Sequence, residues 1–212
     1  MMARLMEVGL ERISKVLLEM ARLSEKSVST AIDAYKENKV VEKDIRQWSE
    51  ELRVLQDEVS ELAIELITKY QPVASDLRFI KSSMEIAYGF SRFGRYAFDI
   101  AEVLEMWGDL SHCDHTLVDI TAKATFEMIR MSIDAFSNKD VELARNIEKL
   151  DDFVDDKYKQ HVGKMISDKE IDVRCAMSTA LILRYLERIA DHSSYIGDCV
   201  VYILTGEHAP RK

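Results

Sequence analysis

The stretch "LRYLERIADHSSYIGDCVVYIL", Leu183 to Leu204, decides how the chain is read. Leu186, Ile189, Ile196, Val200 and Ile203 recur at the spacing of one helical face, and no proline interrupts them. The pattern is that of one long amphipathic helix. Two carboxylates, Glu187 and Asp191, stand one turn apart in its middle, and the polar run His192-Ser193-Ser194 follows at once. Residues four apart on a helix lie side by side, with Cβ atoms about 6 Å apart, so this pair can address one cation. By angular position both point away from the aliphatic face, which predicts an exposed groove and not a core site.

The rest of the chain supports the helical reading. Only 7 glycines and 2 prolines occur in 212 residues, too few turn-formers for many short strands. Hydrophobic residues make up 47%, enough for a sizeable core, and charged residues 32%. The formal net charge is -9 with no clustered Lys or Arg, which excludes direct nucleic-acid binding through phosphate neutralisation. The N-terminus meets charges too early for a signal peptide, and no apolar run reaches the ~20 residues that span a bilayer. The three cysteines, Cys113, Cys175 and Cys199, have no CxxC spacing. Such a sparse, odd set argues against a disulfide framework and predicts a cytoplasmic protein.

The plan is duplicated. "IDAY" at Ile32–Tyr35 answers "IDAF" at Ile133–Phe136, "NKVVE" answers "NKDVE", "SDLR" answers "IDVR", and "FDIAE" answers "SYIGD". The offset drifts from 101 (Ile32 to Ile133) to 96 (Glu102 to Asp198), so the second helix is longer in the first copy. Self-similarity over about 100 residues marks an internal repeat. The fold expected is all-α: two tandem three-helix bundles, residues 1–108 and 109–212, the second with helices at 111–137, 139–166 and 170–205.

Acidic pairs also occur on the penultimate helix. Asp151 and Asp155 flank its apolar face, while Asp152 and Asp156 point outward. Oxygen-rich sets of this kind suit hard or borderline cations. With 38 acids in the chain, however, several such pairs arise by chance, and a lone acid-x-x-x-acid pair carries little weight. "HCDH", His112–His115, lacks an obvious ligand from a second segment and reads as a polar loop. Arg78 and Arg174, each two residues after an acid at a helix start, read as helix-entry ion pairs before phosphate ligands. No GxxxxGK[ST], GxSxG or HExxH occurs, and an enzyme is not expected.

"QPVASDLRFI" (Gln71–Ile80), "LDDFVDD" (Leu150–Asp156) and "LERIADHSSYIGD" (Leu186–Asp198) resemble the signature segments of the PhoU family of phosphate-uptake regulators. So do "LLEMARLSEKSVSTAIDAY" and "VVYILTGE", and the resemblance runs through essentially the whole chain. It implies two similar three-helix bundles, a homodimer, and repression of the phosphate-starvation response. The implied partners are a phosphate transporter's ATPase and a sensor histidine kinase, with the membrane reached only through them. It also implies multinuclear iron or zinc on E/DxxxD motifs. Carried over by position, these motifs are Asp151 with Asp155 and Glu187 with Asp191. The first copy departs from the pattern: Gln56, Ser60, Ser91 and Arg95 stand where the four carboxylates would be. A cluster is therefore expected in the second copy alone, since Arg95 repels a divalent ion by several kcal/mol at short range. Two other readings are an accessory protein of a secondary phosphate permease and a carboxylate-bridged metalloprotein with redox or storage activity.

Overall fold

A computed structural model of the chain describes residues 2–208. Seven α-helices follow in order: α1 (Met2–Lys36), α2 (Glu42–Tyr70), α3 (Ala74–Trp107), α4 (Thr116–Asn138), α5 (Val141–Asn146), α6 (Glu148–Ser167) and α7 (Val173–Thr205). Among the described residues there is no strand, and no helix is long and apolar enough to cross a membrane.

Helices α3 and α7 form the axis of the molecule and run antiparallel. Arg78, near the start of α3, lies beside Gly206 at the end of α7, and Arg174, at the start of α7, lies beside Gly108 at the end of α3. Helices α1 and α2 pack on α3, while α4, α5 and α6 pack on α7. Each axial helix is surrounded, which is why buried residues occur around most of its circumference. One continuous apolar core unites the copies: Ile86, Phe90, Phe93 and Ile100 of α3 belong with Ile182, Leu186, Ile189 and Ile196 of α7. Full burial of each such side chain contributes about 1.5–3 kcal/mol.

The segment read as one helix over 139–166 is divided at Ile147, where the Ile147 and Leu150 N–H groups reach back only three residues, to Ala144 and Ile147. The neighbour explains the tightening. A Cβ on Gly197 of α7 would stand 2.9 Å from the Ala144 carbonyl oxygen and 3.0 Å from Ile147 Cδ1. The α5 backbone thus lies directly on α7 at a position where α7 has no side chain. Asp140 starts α5 by accepting the Leu143 N–H at 2.9 Å.

Helix α4 begins at Thr116, later than the 111 expected, because two aspartates fold the preceding residues into turns. Asp109 accepts the Ser111 N–H and Asp114 the Thr116 N–H, each at 2.9 Å. The buried Leu110 and Cys113 anchor this connection, and the Leu110 N–H donates to Asn38 Oδ1 at 3.1 Å. The cysteines depart from expectation. Cys113 and Cys175 form a disulfide with Cα atoms 5.4 Å apart, leaving Cys199 as the buried free thiol. A separation of 62 residues gave no local spacing from which to read this pairing.

Candidate functional site

Helices α6 and α7 pack against each other in a seam along the second copy, and Asp155 of α6 stands near enough to Glu187 and Asp191 of α7 for their charges to interact. The exposed groove expected for Glu187 is corrected: the residue is only 9% exposed. Helical periodicity marks one core-facing side, whereas α7 is covered by α6 as well as by α3, α4 and α5. Asp191 and Asp155 are half-buried, while Asp152 and Asp156 face solvent as expected.

Burial sets the electrostatics of the seam. Desolvation raises the Glu187 carboxyl above the usual range against the pull of Arg184, and the charges of Asp191 and Asp155 push the same way. Desolvation likewise raises Asp191, opposed by Arg188 and reinforced by Asp155. Asp155, Glu187 and Asp191 thus feel one another's charge across the two helices. Each also holds a cation from its own helix: Asp155 with Lys159 at 3.2 Å, Asp191 with Arg188 at 3.3 Å, and Glu187 with Arg184. An all-oxygen donor set from two helices fits a hard or borderline cation, which would have to displace these basic side chains. Among the described residues, the only set of three potential ligands converging within 4.8 Å is elsewhere, at His112, Cys113 and Cys175.

The first copy is wired differently at the equivalent positions. Ser60 Oγ donates to the Gln56 carbonyl at 3.0 Å, within its own helix. Arg95 pairs with Asp99 at 2.7 Å and lies over the Phe98 ring. Burial raises the Asp99 carboxyl, with Arg95 opposing. By position in the repeat Arg95 corresponds to Asp191, so a guanidinium stands where the second copy has a carboxylate.

The seam between the copies is aromatic. His192 contacts Tyr88 and Tyr96, and Tyr96 stacks on Tyr185 with ring centroids 6.4 Å apart. Burial and the nearby Arg92 and Arg188 pull the His192 imidazole down to about 4, so it is neutral near pH 7. Phe79 of α3 stacks with Phe136 of α4. Phe79, Tyr96, Phe136 and Tyr185 pack against the main core.

The helix-entry ion pairs expected of Arg78 and Arg174 are corrected: Asp172 instead accepts the Cys175 N–H and faces His112, and both arginines reach across to the opposite axial helix. Gly108 and Gly206 carry positive φ, 70° and 79°, and end α3 and α7. The Arg174 Nη2 and Arg78 Cζ atoms lie 3.3 and 3.6 Å from where Cβ atoms on these glycines would stand. Each guanidinium sits at the carbonyl end of the opposite axial helix, where a positive charge complements the helix dipole. The repeat has therefore built the same cap twice.

Residues 17–104 and 119–200 each match the PhoU domain. The chain belongs to the PhoU family. The two PhoU matches fall on α1–α3 and α4–α7, the halves that the internal repeat marks in the sequence. A "phosphate-specific transport system accessory protein PhoU homolog 1" from Methanothermobacter thermautotrophicus is 32% identical over 209 residues, 93% of this chain and 94% of the relative. A PhoU homolog from Synechocystis sp. is 28% identical over 207 residues, 95% of this chain and 92% of the relative. The crystal structure of PhoU from Pseudomonas aeruginosa aligns with a TM-score of 0.86 at 27% identity, covering 95% of this chain and 99% of that one. PhoU from Streptococcus pneumoniae, with a TM-score of 0.86 at 22% identity over 97% and 100% of the two chains, shares the fold.

Proposed function

We propose that the protein is a phosphate-transport regulator that restrains phosphate uptake through protein contacts. The observation that carries this reading is the end-to-end match: both PhoU domains are present, and relatives named as accessory proteins of phosphate-specific transport systems align over 93–95% of the chain. That naming favours a transporter with an ATPase subunit over a single-chain permease. The working surface is an elongated helical body, and docking of helix faces on partner helices is a mode that such a surface serves. The partners are the transporter ATPase and a sensor histidine kinase on the cytoplasmic side of the membrane, engaged by a homodimer.

In this reading Asp151, Asp155, Glu187 and Asp191 hold iron or zinc on the α6/α7 seam, and the first copy holds none. Such a metal would cross-link α6 to α7 and neutralise a desolvated group of carboxylates. Support comes from the mutual repulsion of Asp155, Glu187 and Asp191 and from Arg95 at the matching place in the first copy. The protein's own residues do the positioning: Arg184, Arg188 and Lys159 hold the carboxylates in place when no cation does.

Deletion of the gene, followed by phosphate-uptake measurements in phosphate-replete cells, tests the regulatory reading. High-affinity uptake is expected to be derepressed, and unchanged uptake refutes it. Metal analysis of protein purified without added metal tests the seam. Metal lost on Glu187→Gln with Asp191→Asn, but kept on Arg95→Ala, is the expected pattern.

A further inference from the structure

The cluster at His112, Cys113 and Cys175 lies away from the acidic seam, where the connection between the copies meets the first turn of α7. The His112 Nε2 stands 3.4 Å from Cys175 Sγ, 3.9 Å from Cys113 Sγ and 3.7 Å from Asp172 Oδ2. In a tetrahedral zinc site, bond lengths of about 2.0–2.3 Å place nitrogen and sulfur ligands about 3.5 Å apart and two sulfurs about 3.8 Å apart. The imidazole already stands at such distances. Only the two sulfurs are closer, because they are bonded to each other.

We propose that, once the disulfide is reduced, Cys113, Cys175 and His112 bind one divalent ion of the zinc class, with water in the fourth position and the Asp172 carboxylate beside His112 as a supporting anion. The same sulfurs either bridge each other or share the metal. In the reducing step an external dithiol gives two electrons and two protons to the Cys113–Cys175 bond and becomes a disulfide itself. Metal binding then displaces the two thiol protons.

Local structure holds these groups for this purpose. Asp172 uses Oδ1 to accept the Cys175 N–H at 3.0 Å, capping α7, so Oδ2 remains turned toward His112. Cys113 is fixed by its N–H bond to the Leu110 carbonyl and by burial. His112 and Asp172 are more than half exposed, giving an entry path from solvent. A cavity of about 500 Å³ adjoins the sulfurs. The other imidazole on that cavity, His161, is engaged elsewhere, its Nε2 lying 2.8 Å from the Ala176 carbonyl oxygen. The "HCDH" segment, read from sequence as a polar loop, thus finds its missing second segment in α7.

The test is titration of the full chain with Co²⁺, a spectroscopic substitute for Zn²⁺, after reduction with a dithiol and removal of excess reductant. In reduced protein a thiolate-to-cobalt charge-transfer band is expected, accounting for one ion per chain beyond any held on the acidic seam and displaced by Zn²⁺, while air-oxidised protein shows no such band. Cys113→Ser and Cys175→Ser each abolish the band. Asp172→Asn, which can still cap α7, weakens binding at least about 10-fold. The Glu187→Gln, Asp191→Asn double variant keeps the band, which separates this site from the acidic seam. Absence of the band in reduced wild type overturns the proposal, as does its survival in either serine variant or its loss in the Glu187/Asp191 variant. Because the oxidised and reduced forms share one sequence, their comparison stands even where a serine variant folds poorly.

Discussion

Breaking the Cys113–Cys175 bond is the perturbation whose magnitude follows most directly from the structure. The disulfide ties the connection between the copies to the start of α7 across 62 residues. Loop-closure entropy for that length, -2.1 - 1.5R ln n, comes to about -14 cal/mol/K, or about 4 kcal/mol of stability at 25 °C. The native state loses little else on reduction, because Leu110, the Asn38 bond and the Asp172 cap hold the same segments without the sulfurs. The continuous core predicts that both copies unfold together. For a chain of this size 1 kcal/mol moves Tm by about 2–4 °C, so reduction is expected to lower Tm by about 8–16 °C. The assay is thermal unfolding with and without a phosphine reductant, in chelator so that no metal replaces the link, with free thiols counted by a colorimetric reagent. The Cys113→Ser, Cys175→Ser double variant should melt with the reduced protein and ignore the reductant. A shift below about 2 °C with all three thiols titrated would refute the loop-closure reasoning.

Two glycines should respond oppositely to alanine. Gly197→Ala drives a Cβ to 2.9 Å from the Ala144 carbonyl, and overpacking of about 1–3 kcal/mol exceeds the helix-propensity gain of about 1 kcal/mol. Gly163→Ala, at an exposed position of α6, meets nothing within 4 Å and should stabilise by about 0.5–1 kcal/mol; denaturant unfolding measures both. Arg78→Ala and Arg174→Ala should each cost about 0.3–2 kcal/mol by uncovering a helix C-terminus. Being at opposite ends of the axis, they should add in the double variant, measured by urea unfolding. The raised carboxyls of Glu187 and Asp191 mean that the folded state holds their protons more tightly than the unfolded chain does. Their ionisation therefore lowers stability as pH rises through the folded pKa, and below the ordinary carboxylate range the penalty is gone. In chelator, Glu187→Gln with Asp191→Asn should melt above wild type at pH 7, and the gap should close as pH falls toward 4. A gap that widens on acidification counts against the burial explanation.

Much of the candidate site was legible as residue types and little of it as surroundings. The acidic pairs and their absence from the first copy could be read directly, because i,i+4 spacing is local. That Glu187 is buried could not, because its burial depends on α6 covering a side of α7 that periodicity assigns to solvent. The Ile147 break depends on Gly197, which is 50 residues away in the chain (197 - 147).

Sequence by itself determined the helices, their duplication and the absence of the acidic pairs from the first copy, since periodicity, scarce turn residues and repeated segments are short-range properties of a chain. Tertiary structure alone decided that the copies share one core along α3 and α7 and that Arg78 and Arg174 cap each other's helices. It also decided that His112, Cys113 and Cys175 meet. Those features depend on which helix covers which, and that is settled by packing the whole chain at once.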